Sequence, residues 1–210
     1  MPDKRKRKPD YYYYKAKDEG YKSRASFKLK QMQEKFRLFK KGQIVIDLCG
    51  APGGWAQVVK EYIGTKGIVI ILDIQTVNDI EGVESYEKDI TDEDTADYVL
   101  DLIQPNSKVD LVISDCAPKV MGAWHTDQAR QMFLAENALI IGIKLQADIV
   151  ICKVFEGRGF NELREIGKKS YQKVRVYKPK ASRKESAETY VLFSEYKGDN
   201  ALDELLDNED

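Results

Sequence analysis

Histidine and cysteine are scarce in this chain. Of 210 residues one is histidine, His125, and three are cysteine, Cys49, Cys116 and Cys152. A single imidazole excludes a histidine-rich metal site, and a Ser-His-Asp triad would have to be built on that residue alone. Neither is assigned, and no metal is called for. The cysteines are far apart and form no C-x-x-C. That disfavours a zinc knuckle or a disulfide framework, fits a reducing compartment and predicts three small buried hydrophobes. No run approaches ~18 consecutive apolar residues, and the lysine-rich start has no apolar stretch behind it that could serve as a signal peptide. The expectation is a soluble, cytoplasmic protein. Also missing are G-x-G-x-x-G and a loop ending in G-K-[ST], which speaks against a nicotinamide dehydrogenase and a phosphate-binding loop.

Neither sign of charge prevails overall, with 34 Lys and Arg against 35 Asp and Glu. The balance is uneven along the chain. Residues 1–41 hold 15 bases and 5 acids, whereas residues 198–210 hold 6 acids and no base. A basic head beside a folded domain points to nucleic acid. With 42% hydrophobic residues the remainder can build one substantial core.

Residues 1–22 are basic and tyrosine-rich with no helical or strand period, and read as a flexible arm. From Ser23, a plausible N-cap, Leu29, Met32, Phe36 and Phe39 recur at helical spacing. Apolar β-branched runs follow at 43–49, 68–74, 110–116 and 148–155, separated by helical patterns around 55–63, 92–103, 126–146 and 160–169. Continuous apolar strands alternating with helices are what a parallel sheet covered on both faces requires. The alternating runs 173–179 and 188–196 then predict an antiparallel hairpin that closes a doubly wound α/β fold. Residues 198–210 read as an acidic tail.

DLCGAPGGW, Asp47 to Trp55, lies between the first strand and a helix, where glycines let the backbone turn sharply and approach a ligand. Asp73 ends the second strand, Asp89 follows the run VESYEK, and Asp115 ends the fourth strand in SDCAP. Three acids at the carboxyl ends of parallel strands converge on the edge where such folds bind ligands. Lys153 is the most anomalous residue, because it interrupts the apolar strand DIVICKVF and burying an ammonium is costly unless it is paired. Asp115 and Glu188 are its candidate partners, with Lys28 of the basic helix as a second cation. A lysine so placed can act as a general base or orient a hydroxyl.

DLCGAPGGW, SDCAP, KVFEGRGF, the S-x-E-x-Y of Ser186 to Tyr190 and SRASFKL at 23–29 together resemble the FtsJ/RlmE family of S-adenosylmethionine-dependent RNA ribose 2′-O-methyltransferases. The resemblance spans about 23–196 and implies a Rossmann-like α/β methyltransferase fold, with a seven-stranded, mostly parallel sheet in a domain of 23–197. It places the family's Lys-Asp-Lys-Glu tetrad on Lys28, Asp115, Lys153 and Glu188. Its S-adenosylmethionine positions fall on Gly53, Trp55, Asp73, Asp89 and Asp115. Where the family usually has Asn and a small residue after the fourth-strand proline, this chain has Lys119 and Met121, so substrate contacts in that loop do not carry over.

On this reading Lys153 is the base or hydroxyl-orienting group, held by Asp115 and positioned by Glu188, while Lys28 tunes the charge and meets the substrate. Asp73 would bind the cofactor ribose and Asp89 the adenine edge. RNA is the expected partner, a uridine of large-subunit rRNA before the anticodon loop of tRNA, and a monomer is the expected state. Arg5, Lys6, Arg7, Lys8, Lys22, Arg24, Lys28 and Lys30 could follow phosphates, with Tyr11 to Tyr14 stacking on bases and Lys178, Lys180, Arg183 and Lys184 gripping the same strand. Trp124 is either a stacking residue or the anchor of a helix start. A non-catalytic RNA-binding module is the rival from another class, and the complete tetrad argues against it.

Overall fold

A computed structural model describes residues 11–183, 185–198 and 202. The seven strands are β1 (Ile44–Leu48), β2 (Ile68–Asp73), β3 (Glu84–Glu87), β4 (Leu111–Ser114), β5 (Ile149–Phe155), β6 (Tyr171–Tyr177) and β7 (Glu188–Tyr196). They form one sheet in the order β3-β2-β1-β4-β5-β7-β6. The first five are parallel. β7 runs antiparallel between β5 and β6, so the expected hairpin is present with its second strand innermost.

The uniform apolar runs are explained by the period of two. In β2, Ile70 and Leu72 enter one core while Val69 and Ile71 enter the other. The first core is covered by α4 (Thr95–Leu102), α5 (Trp124–Lys144) and α6 (Phe160–Ser170). The second is covered by α2 (Ser26–Phe36) and α3 (Gly54–Ile63). A strand buried on both faces needs apolar side chains at odd and even positions alike.

Two helix limits differ from the expectation. Ser23 does not cap α2; its carbonyl accepts from Ser26 N in a turn, and the Ser26 hydroxyl donates to Gly54 O. Nor does α2 reach Phe39, because Arg37 takes a left-handed conformation (φ 53°) and its N–H closes on Gln33 O. Phe39 is still buried, stacked on Tyr62 at 6.1 Å.

The arm also departs from its reading. Residues Tyr11–Asp18 form helix α1, which lays Tyr12 on Phe27 and buries Ala16 beside Phe27 and Ala181. Tyr12 and Ala16 share one face at i, i+4, and a run of four identical tyrosines conceals that periodicity. Residues 1–10 and the acidic tail except Gly198 and Leu202 lie outside the described residues.

The cysteine expectation is overturned for two of three. Cys49 and Cys116 form a disulfide, with Cα atoms 5.1 Å apart. Their 67-residue separation hides this, but β1 and β4 are paired neighbours with Leu48 opposite Ser114, so both cysteines leave the sheet at one place. Cys152 is free and buried, as expected, and burial pushes its thiol up to about 12. Among the described residues no helix is long and apolar enough to cross a membrane.

Candidate active site

The carboxyl ends of β1, β2 and β4 and the far half of β5 meet over the start of α2. There the structure brings together all four tetrad residues. Lys28, on α2, and Lys153, on β5, are 8% and 5% exposed. The Asp115 Oδ1 atom lies 3.0 Å from Lys153 Nζ and 3.7 Å from Lys28 Nζ. Lys153 Nζ also donates to the Asp115 carbonyl. Burial alone would push the Asp115 carboxyl up, but Lys153, Lys28 and a hydrogen bond from Tyr190 outweigh it and hold the group below its ordinary value.

Glu188 does not occupy its expected place beside Lys153. Its Oε1 pairs with Lys28 Nζ at 2.7 Å and accepts from the Ser182 hydroxyl at 2.7 Å. The register gives the reason: Phe155, not Lys153, stands opposite Glu188, and Tyr190 stands opposite Lys153. The Tyr190 hydroxyl therefore reaches Asp115 Oδ1 at 2.6 Å. Burial, then the charges of Asp115 and Glu188, hold this phenol well above its ordinary value, so it serves as a donor.

Tyr190 and Ser182 were missed as functional positions. Tyr190 stands in the S-x-E-x-Y stretch already noted, and its alternation with Glu188 was the available signal. Ser182 lies in a lysine- and serine-rich loop with no periodicity to mark it. Gln131, on α5, was also missed; its amide donates to Lys153 O (2.8 Å) and Cys116 O (3.2 Å), tying β5 to the loop after β4.

The glycine-rich turn is shaped by three devices. Gly53 is left-handed (φ 104°) and precedes α3. Val77 and Ile80 press against it; a Cβ there would meet Ile80 at 2.3 Å. Asp73 Oδ2 accepts from Ala51 N (2.9 Å) and Oδ1 from Gln75 N (2.8 Å), so this acid fixes the turn while each oxygen keeps a lone pair. Trp55 is buried, donates from Nε1 to Ala25 O at 2.9 Å and tilts against Tyr190, so it is a pillar between the turn and the tetrad. Asp89 lies two residues beyond β3, exposed, its Oδ1 accepting from the amide and hydroxyl of Thr91.

A cavity of about 50 Å³ joins these parts, lined by Asp47, Gly50, Trp55 and Asp115 among others. Asp47, also unmarked by the sequence reading, is buried with Oδ2 lacking any hydrogen-bond partner. Burial, then the charges of Asp115 and Asp73, hold it well above the carboxylate range. A Cβ on Gly50 would sit 2.8 Å from that orphaned oxygen. The glycine cradle is therefore crowded by the charges of Asp115 and Asp73, beside an Asp47 oxygen that has no partner. It suits a ligand carrying positive charge, as the sulfonium and ammonium of S-adenosylmethionine do, with ribose hydroxyls for Asp73.

Of the cations expected to follow phosphates, several are engaged within the protein. Lys22 donates to Asn78 O, Arg24 to Ala181 O and Lys30 to the Tyr21 hydroxyl, and Lys178 donates to Ser186 O. Tyr11, Tyr13 and Tyr14 are exposed, whereas Tyr12 packs inward. Arg5, Lys6, Arg7, Lys8 and Lys184 lie outside the described residues.

A family model for FtsJ-like methyltransferases matches residues 21–196. The chain is 45% identical over 198 residues to ribosomal RNA large subunit methyltransferase E of Methanocaldococcus jannaschii, covering 91% of this chain and 80% of that one. It is 41% identical over 191 residues to the protein of the same name from Francisella tularensis subsp. tularensis, covering 90% and 92%. A solved Plasmodium falciparum structure described as a ribosomal RNA methyltransferase superposes with a TM-score of 0.75 at 26% identity, over 85% of this chain and 100% of that one.

Proposed function

Because the chain belongs to the FtsJ-like methyltransferase family, we propose that it transfers a methyl group from S-adenosylmethionine to a ribose 2′-hydroxyl of RNA, with a uridine of large-subunit rRNA as target. The observation that carries this reading is the buried Lys153 ammonium, fixed on Asp115 at the edge where the cofactor pocket opens. The bound cofactor supplies an electrophilic methyl group, held by Gly53, Asp73, Asp89 and Asp115 with Trp55 supporting the turn. The protein's task is to bring a hydroxyl into line and manage its proton.

Lys153 has three donor positions, and Asp115 takes two, one with its carboxylate and one with its carbonyl. The third is left to face the 2′-hydroxyl and orient it; once Lys153 has released that proton to solvent, the lone pair it vacates would instead receive the hydroxyl's proton as the methyl group is transferred. Asp115, shared between Lys153, Lys28 and Tyr190, fixes where Nζ stands. Glu188 and Ser182 fix Lys28, which answers the charge of Asp115 and lies on the basic helix facing the substrate. The enzyme is read as a cytoplasmic monomer.

The test is transfer of radiolabelled methyl from S-adenosylmethionine to large ribosomal subunits, free large-subunit rRNA and bulk tRNA, with Lys153→Ala alongside. Label in the ribosomal samples, lost in the variant while cofactor binding is retained, supports the reading. Label in tRNA alone moves the target to the anticodon-loop reaction, and loss of cofactor binding in Lys153→Ala refutes the role of Lys153.

A further inference from the structure

Beside the tetrad the molecule exposes apolar side chains where a soluble surface would bury them. Val120 and Met121, in the loop after β4, are 65% and 68% exposed, and Trp124, at the start of α5, is 47% exposed. Large exposed apolar patches mark interaction sites. This one is held in shape. Both oxygens of Asp127, itself 3% exposed, accept from the backbone, Oδ1 from Met121 N (2.9 Å) and Oδ2 from Gly122 N (3.0 Å). Gln128 donates to Arg158 O, which ties the same helix start to the loop after β5.

The Trp124 indole lies nearly parallel to the Phe155 ring, centroids 6.1 Å apart and planes 17° from parallel. Phe155 ends β5 two residues beyond Lys153, and residues two apart on a strand share a face. A half-exposed aromatic stack therefore adjoins the group assigned to the acceptor hydroxyl. Exposed cations lie on the segments that carry it: Lys119 in the loop before Trp124, Arg130 on α5 and Arg158 three residues past Phe155. A flat π-surface on segments that also carry exposed cations suits a nucleobase and its phosphates.

We propose that Trp124, backed by Phe155, is the stacking platform for the base of the target nucleotide or its immediate neighbour, so that it sets substrate affinity without taking part in methyl transfer. This rests on the RNA methylation reading and names the contact that places the nucleotide. The loop that leads into it holds Lys119 and Met121, where the chain departs from the usual family pattern.

The experiment compares wild type, Trp124→Ala and Trp124→Phe in steady-state methylation of a free large-subunit rRNA transcript, with cofactor affinity measured in parallel. Tryptophan fluorescence is also titrated with a single-stranded oligoribonucleotide and with its abasic counterpart. Trp124→Ala should raise KM for RNA about 10- to 100-fold, with kcat within about 3-fold and cofactor affinity unchanged, and Trp124→Phe should stay within about 3-fold of wild type. The base-bearing strand should quench wild-type fluorescence more than the abasic strand does, and Trp124→Phe should abolish that excess because Trp55 is buried. An unchanged KM in Trp124→Ala, or equal quenching by the two strands, overturns the proposal. So does a defect seen with assembled ribosomal subunits and absent with free transcript, which would make the patch a protein-docking surface. Should the wild type methylate no RNA, the catalytic reading falls, and the quenching comparison still decides the stacking platform.

Discussion

Cutting the Lys28–Glu188 ion pair from either side tests whether the tetrad is a coupled unit. The pair is 2.7 Å long, with side chains 10% and 13% exposed, so solvent screens it little. Lys28→Met leaves the Glu188 carboxylate buried with the Ser182 hydroxyl and the more distant charge of Arg24, and leaves Asp115 with one cation in place of two. Losing one partner of a buried pair costs about 3–5 kcal/mol. Because Ser182 still solvates Glu188, about 2–4 kcal/mol is expected. Glu188→Gln keeps an acceptor for Ser182 and strands a Lys28 that still has Asp115 at 3.7 Å, so about 1–3 kcal/mol is expected. In the double variant neither charge is orphaned, and the combined cost should fall short of the sum by about 1–3 kcal/mol. Urea denaturation of the four proteins at pH 7.5 measures this cycle, with equal m-values confirming one unfolding reaction. Additive losses within ~0.5 kcal/mol would refute the coupling and reduce the pair to two independent side chains. Methyl transfer should be lost in all three variants.

Three further outcomes are expected. The folded-state carboxyl of Asp47 is held above its unfolded value, so the folded protein binds the extra proton and stability falls as pH rises between the two values, by about 1.4 kcal/mol per pH unit. Asp47→Asn should accordingly be closest to wild type at the acid end and gain on it as pH rises above the unfolded carboxylate value; parallel pH profiles in urea denaturation would refute this. Gly142→Ala puts a methyl 2.1 Å from Val150 Cγ2 between α5 and β5, and should destabilise by about 1–3 kcal/mol although alanine is the better helix former; Val150→Ala should relieve it, and a stabilised single variant would contradict the packing. Trp55→Phe removes the donor to Ala25 O and should cost about 1–3 kcal/mol, seen as a lower Tm; an unchanged Tm would show that the pillar carries no load.

Much of the architecture was legible because it follows from local chemistry. The four apolar runs had to be strands of a two-sided sheet, since residues 45–48, 69–73, 111–114 and 150–154 are all buried, and α5 spans Trp124–Lys144 against an expected 126–146. Lys153 was legible for the same reason: a charge in an apolar strand stands out against its surroundings. The tyrosine run concealed α1, because repetition of one residue type carries no period, although Tyr12 and Ala16 do face the body.

Contacts between distant segments were not legible. Cys49 and Cys116 look unrelated along the chain, and they meet because β1 and β4 are neighbours. Glu188 was assigned to Lys153 by residue type, but pairing has a fixed register, and that register sets Glu188 opposite Phe155 and gives Lys153 to Tyr190. A shift of one residue would turn each of these side chains to the other face.

By itself, then, the sequence determined the sheet, its helical covers and the glycine turn, and marked Lys153 as out of place, because patterning, backbone freedom and the cost of burying charge are properties of short segments. Only the tertiary structure decided who pairs with whom. It crowded Asp47, Asp73 and Asp115 so that the Asp47 carboxyl is held above the carboxylate range, joined Glu188 to Lys28, and raised Trp124 on Phe155 beside the site. Those are long-range distances, fixed by strand order and register, to which local composition is blind.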